Sequence, residues 1–224
     1  MKHSVILTSY NRPKMIRTSI LSILEQTFQD FELVICDDGS NEETISSIND
    51  LIKNDSRCIL LTVQHEDDAK IRSDCAFRVI QRINDAIKIV SGDIIHYLAD
   101  DDWFHKERFR IFEGVMAKDD VAVSYGRLVY MLDEKTDAGQ DRYPAEVSDP
   151  YCVLDYNQVA HKRFIFKEVP VWVPDPVDYA SDGHFFRAIS KKWAFHGVDK
   201  VVAYKRGHAF NMQRTCSNTT GERE

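Results

Sequence analysis

The first hundred residues repeat one pattern, in which a short β-rich apolar run is followed by a stretch with helical periodicity. The runs are "SVILT" (4–8), "FELVICDDGS" (31–40, ending in a turn at Gly39), "CILLTV" (58–63) and "GDIIHYLA" (92–99). Pro13 stands where a helix can begin, because a first turn does not need its missing N–H. Ile16, Ile20, Ile23 and Leu24 then recur at helical spacing. Ser40-x-x-Glu43 predicts a capping box for a second helix. Within 76–90, Ile80, Ile83, Ile87 and Val90 form the stripe of a third, with Arg78, Arg82 and Asp85 off it. The order β-α-β-α-β-α-β restricts the chain to an α/β fold, with a mostly parallel central sheet and helices on both faces. The fourth run is apolar on both faces and suits a central strand.

The second half is less regular. "VAVSYGRLVYML" (121–132) predicts a long strand and 133–150 a polar loop. "YASDGHFFRAI" (179–189) predicts a helix entered at Ser181 or Asp182, and "GVDKVVAYKR" (197–206) a last strand. The residues after about 212 read as a polar tail. No repeat or low-complexity tract divides the chain, so 1–224 reads as one domain. A net charge of −7 argues against a nucleic-acid binder, which needs a basic face. The five cysteines are odd in number, form no C-x-x-C pair, and include Cys36 and Cys58 inside apolar runs. That usage fits a reducing compartment and neither a disulfide framework nor a zinc site. The apolar stretch near the N-terminus is too short for a signal peptide. No run approaches the ~18 apolar residues of a spanning helix. The expected setting is cytoplasmic, beside the inner face of a membrane.

Parallel α/β sheets bind ligands outside the carboxyl ends of their strands. The polar residues of this chain gather there. Thr8, Ser9, Tyr10 and Asn11 follow the first run, Asp37 and Asp38 the second, and Asp100, Asp101 and Asp102 the fourth. Two carboxylates ~5 Å apart repel by about 3 kcal/mol at an effective dielectric of ~20. Three of them at the end of a buried strand therefore call for a positive partner. There is no G-x-G-x-x-G, no P-loop and no G-x-S-x-G elbow. Without a glycine cradle, a metal on strand-end carboxylates is the expected way to hold phosphates: Mn²⁺ or Mg²⁺ bound by one or two carboxylates plus the substrate's own oxygens.

Together, "SVILTSYNRP", "SILEQTFQDFELVICDDGSNEET" and "SGDIIHYLADDDWF" resemble family 2 glycosyltransferases of the GT-A fold. The closest likeness is to soluble, non-processive members such as those of spore-coat polysaccharide synthesis. It spans residues 3–109 and thins beyond about 120. The resemblance implies a nucleotide-diphospho-sugar donor (UDP or dTDP) on residues 1–102 and a glycan or lipid-linked acceptor on 103–224. Thr8 and Tyr10 would line the base pocket, Asp38 would accept the base N3–H, and Arg78 would reach the base or phosphates. Asp100 would touch the ribose, and Asp101 would bind the metal as the last residue of the DXD motif. In that register Ala99 takes the place of the first aspartate of the commoner D-x-D-D pattern. Asp182 matches the catalytic base, and His208 a late metal or diphosphate ligand.

Plainer readings stand beside these. Asp37 to Ser40 would serve as a turn and cap, Arg78 and Arg82 as a solvated face, Asp182 as an N-cap and His208 as a structural group. The transmembrane helices and Q-x-x-R-W motif of processive synthases are missing, which favours single sugar transfer. The rival functions are a metal-dependent nucleotidyltransferase or phosphohydrolase, and a non-catalytic nucleotide-sugar or glycan-binding module.

Overall fold

The computed structural model describes residues 1–63, 75–169 and 181–207. The predicted alternation is present. β1 (His3–Ser9), α1 (Met15–Leu24), β2 (Phe31–Asp37), α2 (Glu42–Ile52), β3 (Cys58–Thr62), α3 (Cys75–Ile87) and β4 (Ile94–Ala99) follow in order. These four strands are parallel in the order β3-β2-β1-β4. The second half adds β5 (Trp103–Phe104), α4 (Arg108–Met116), β6 (Val123–Met131), β7 (Asp137–Arg142), β8 (Val159–Lys162), α5 (Ser181–Ser190) and β9 (Phe195–Arg206). Among the described residues one sheet runs β3-β2-β1-β4-β8-β6-β9-β5, with β7 on β6. β8 is antiparallel to both β4 and β6, while β9 runs parallel to β6. The mostly parallel sheet is thus the property of the first half.

Strand alternation sorts the core into two layers. Val5, Leu7, Leu33, Ile35, Ile94 and Leu98 pack with Ile16, Ile20 and Ile23 of α1 and Phe109 and Phe112 of α4. On the other face, Ile6, Val34, Ile95 and Tyr97 pack with Ile80 and Ile83 of α3 and Phe185 and Phe186 of α5. Both faces of β4 are buried, as its apolar run requires.

Two local expectations are corrected. The α2 cap is Asn41, not Ser40. The Asn41 side chain accepts the Thr44 N–H at 3.0 Å. The Ser40 hydroxyl instead accepts the Asn11 N–H at 2.9 Å, which ties the loop after β1 to the loop after β2. Residues 133–150 are not all loop, because β7 forms a hairpin with β6. It has no apolar side to betray it, since none of its residues is buried.

Candidate functional site

The ends of β1, β2 and β4 are level, with Ser9 paired to Asp37 and Thr8 to Ala99. The turns beyond them are held by side chains. Asp37 Oδ2 accepts the Gly39 and Ser40 N–H groups at 3.1 and 2.9 Å, and Gly39 takes a left-handed φ of 77°. Asn11 is also left-handed, at φ 51°. Its side chain accepts the Asn41 N–H at 2.8 Å while its own N–H goes to Ser40. Asp37 is therefore a turn residue, and Asp38 is the one that turns outward.

These ends wall a cavity of about 750 Å³ that brings Thr8, Tyr10, Arg12, Asp38, Arg78 and Asp100 together. Arg78 and Arg82 are not a solvated face, as both are buried. The Arg78 guanidinium donates to Asp38 and lies 4.0 Å from the centre of the half-exposed Tyr10 ring. Arg82 Nε is 3.6 Å from the other Asp38 oxygen. Asp38 therefore lines the cavity between two guanidinium groups. The Ser9 hydroxyl, also on the wall, is buried with no hydrogen-bond partner among the described residues.

The three consecutive aspartates part ways. Asp100 accepts the Tyr10 N–H at 2.8 Å and Arg12 Nη1 at 2.7 Å. The same Arg12 nitrogen donates to Asp101 at 2.7 Å. Burial pushes the Asp100 carboxyl up to about 6, with Asp101 adding to the rise and Arg12 opposing it. Asp102 faces the interior. Its carboxylate accepts the Arg206 N–H at 2.8 Å and Asn157 Nδ2 at 2.7 Å. Burial and the neighbouring Asp101 hold its carboxyl well above the usual range. The Asn157 side chain also accepts the Ala99 N–H at 3.0 Å, so it clamps the strand end from both sides.

Behind the clamp lies a polar network that the sequence did not disclose. Arg108 is fully buried with its guanidinium over the Phe104 ring, 3.9 Å from the centroid. It donates to the carbonyls of Asn157, Val159 and Val202, and through Nε to His96 Nδ1 at 3.1 Å. His96 Nδ1 is thus an acceptor, so its Nε2–H must donate to His3 Nδ1, 2.8 Å away. His3 Nε2–H is then free to donate to Glu113 at 3.2 Å. His161 donates through Nδ1 to its neighbour's carbonyl and accepts from the Tyr97 hydroxyl at 2.8 Å. Burial lowers His3 and His161 to about 4 and His96 well below its ordinary value. Near neutral pH all three are uncharged.

Asp182 lies half-buried in the first turn of α5, inside the helix rather than at its cap. It accepts the Gly183 N–H at 2.9 Å. Burial, aided by Asp155, pushes its carboxyl up to about 6, against the Gly183 N–H and Lys205. Lys205 is buried on Asp155, whose other oxygen accepts Asn157 Nδ2 at 2.8 Å. Lys205, Asp155, Asn157 and Asp102 are therefore linked, and Asp182 feels Asp155 only through space and is not among the residues lining the cavity. His208 and the tail after 212 lie outside the described residues. Sequence reasoning missed Arg12, which reads as a turn residue before Pro13. The crowded aspartates were the available signal that a cation stands near.

The donor set can be tested against a divalent cation. Asp102 is turned inward onto Arg206 and Asn157, whereas Asp100 lines the cavity and shares Arg12 with Asp101, so Asp100 and Asp101 are the candidate donors. No group of three or more His, Cys, Asp or Glu suited to a metal occurs among the described residues. Two carboxylates fit a hard cation that completes its shell with diphosphate oxygens and water. They do not fit one held by protein alone.

A parallel sheet whose strand ends open on such a cavity, continued by a mixed half, is the architecture of GT-A glycosyltransferases. The family model for glycosyl transferase family 2 matches residues 4–175, and the chain belongs to that family. Two Escherichia coli relatives, WfgD and WfaP, are named UDP-Glc:alpha-D-GlcNAc-diphosphoundecaprenol beta-1,3-glucosyltransferases. WfgD is 32% identical over 55% of this chain and 44% of its own length. WfaP is 27% identical over 92% of this chain and 77% of its own. Staphylococcus aureus TarS 1–349, solved with UDP-GlcNAc, shares the fold at a TM-score of 0.75 and 18% identity, over 96% of this chain and 61% of that one. Among the described residues no helix is long and apolar enough to cross a membrane.

Proposed function

We propose that the protein moves a sugar from a UDP- or dTDP-sugar to an acceptor hydroxyl in glycan or polysaccharide biosynthesis, with inversion and with Mn²⁺ or Mg²⁺. The observation that carries this reading is one cavity lined by Tyr10, Asp38, Arg78 and Asp100 together. Tyr10 and Thr8 would flank the base and Asp38 would accept its N3–H. Arg78 stays on Asp38 and presents the rest of its fork to the base or phosphates. Asp100 would meet the ribose, and Asp101, with Asp100 beside it, would hold the cation. When bound, that cation supplies Lewis-acid charge to the leaving diphosphate. His208 is proposed as a further ligand from its sequence position alone.

Residues 1–102 form the donor half and 103–224 the acceptor half of a single domain. Asp182, with a carboxyl near 6, takes the acceptor proton. The hydroxyl oxygen bonds to the anomeric carbon from the side opposite the diphosphate, and the C–O bond to phosphate breaks with its electron pair. A base is most useful when its pKa lies close to the working pH. The named activities of WfgD and WfaP support a lipid-linked acceptor, and with it work on the cytoplasmic side of a membrane.

The test is release of UDP or dTDP from a panel of nucleotide sugars, with Mn²⁺ or EDTA, with and without diphosphoundecaprenol-linked saccharides. Metal-dependent, acceptor-stimulated release is expected. Full activity in EDTA, or tight donor binding with no turnover on any acceptor, would overturn the reading.

A further inference from the structure

We infer that Arg12 is the resident counter-ion of the Asp100–Asp101 pair, and that it hands these carboxylates over to the incoming metal while moving its own charge onto the diphosphate. The inference rests on the donor reading above. A single nitrogen, Arg12 Nη1, lies 2.7 Å from Asp100 Oδ1 and 2.7 Å from Asp101 Oδ2. It stands between two carboxylates of different residues, the two that would hold a divalent cation. Asp102 has no need of such a partner, because the Arg206 N–H and Asn157 satisfy it.

The Arg12 backbone cannot follow its side chain. Its carbonyl accepts the Ile16 N–H at 3.1 Å at the start of α1. The preceding Asn11 is fixed in a left-handed conformation by bonds to Ser40 and Asn41. The side chain is different. It is 28% exposed and lines the cavity, so its stem can swing while its root stays. A guanidinium matches phosphate oxygens as well as carboxylate oxygens, through the same planar fork.

The exchange has a thermodynamic consequence. A divalent cation arriving alone must displace a charge-assisted pair and leave Arg12 without a partner. A cation arriving with a diphosphate offers Arg12 new oxygens at once. The metal and the nucleotide diphosphate should therefore bind cooperatively, each raising the other's affinity by the same factor. Without Arg12 the competing cation is gone, so Asp100 and Asp101 should take free metal more readily, and the cooperativity should shrink.

The experiment is Mn²⁺ titration of the full chain followed by electron paramagnetic resonance of the free aqua ion, with and without saturating UDP. The parent is compared with Arg12→Gln, Arg12→Met and Arg12→Lys. The parent should bind Mn²⁺ weakly alone and at least tenfold more tightly with UDP. Arg12→Gln should bind Mn²⁺ alone about tenfold more tightly than the parent, with a several-fold smaller gain from UDP. Arg12→Met keeps the apolar stem and should repeat that result, so the readout does not hang on the folding of one variant. Arg12→Lys keeps a charge and should stay within about threefold of the parent. Affinity for free Mn²⁺ that is unchanged or weaker in both uncharged variants would overturn the inference. Failure of the donor reading has another signature. UDP would then leave Mn²⁺ binding unchanged in every protein, while the difference between parent and variants without UDP would persist.

Discussion

At His96, strand β4 passes through a sealed interior; just beyond Ala99 the same strand emerges at a cavity wall. Both places crowd ionisable groups, and the chain treats them in opposite ways. In the interior, His3, His96 and His161 are stripped of charge by burial, and Arg108 spends its donors on backbone carbonyls. At the rim, Asp100 and Asp101 share the Arg12 guanidinium, and Asp100 lines the cavity. A cluster sealed in the interior, its donors spent on protein acceptors, holds structure. A cluster on a cavity wall can also meet a ligand. The contrast predicts that interior substitutions change stability and rim substitutions change turnover.

The largest expected effect is Arg108→Ala. It removes the side-chain donor from the interior carbonyls of Asn157 and Val159, while the Val202 carbonyl keeps the His105 N–H, and each unsatisfied buried group costs about 1–3 kcal/mol. A loss of roughly 5 kcal/mol is expected in urea unfolding, which is comparable with the entire stability of a typical domain. A loss below about 1 kcal/mol would erase the distinction between the regions. Asp182→Asn tests the other side. It should lower kcat by roughly 10²–10⁴-fold, the usual weight of a general base. Nucleotide affinity should barely move, and the unfolding midpoint should not fall. Near-normal turnover, or a product of retained configuration, would remove Asp182 from the mechanism.

Acid separates the regions by sign. A histidine whose folded pKa is lowered takes up protons in the unfolded chain first, so stability is complete above about 6.5 and drains away as pH falls toward 4. For His3 and His161, each lowered to about 4, this is on the order of 2–3 kcal/mol apiece. Asp100 and Asp182 are raised to about 6, so their contribution runs the other way and is lost as pH rises from about 4 through 6. The parent's melting temperature should fall from pH 6.5 to 4.5, and that of Asp100→Asn should fall more steeply. A flat profile in the parent would mean that the interior imidazoles titrate normally. The smallest effect concerns base choice. UDP or dTDP should bind at least tenfold more tightly than CDP, since a carboxylate accepts from N3–H and repels the cytosine N3 lone pair. Asp38→Ala should remove most of that gap, and equal binding of CDP and UDP to the parent would overturn the assignment.

The donor side was legible because each of its signals is local. Apolar runs of five to eight residues mark the strands, and polar residues directly after three of them mark the rim. The interior network was not legible, since residues 3, 96, 108 and 161 meet only through the sheet. A histidine inside an apolar run carries no sign of what it will face. The late strands failed for physical reasons too. β5 has two residues and β8 four, too few for a period. The Ser40 cap failed because Asn41, equally able to cap, stood next to it. Arg12 was overlooked because its partners lie 88 and 89 positions away.

The β7 hairpin matters beyond this chemistry. β6 pairs with β8 through Val123 to Tyr125, and with β7 from Leu128 onward. β7 therefore covers the part of β6 that β8 leaves bare, and its own outer edge carries Asp137, Asp141 and Arg142. Open strand edges invite other chains to add themselves to a sheet, and charge on the edge discourages it. The segment least informative about catalysis thus closes the sheet with a charged strand, the kind of edge that discourages edge-to-edge joining.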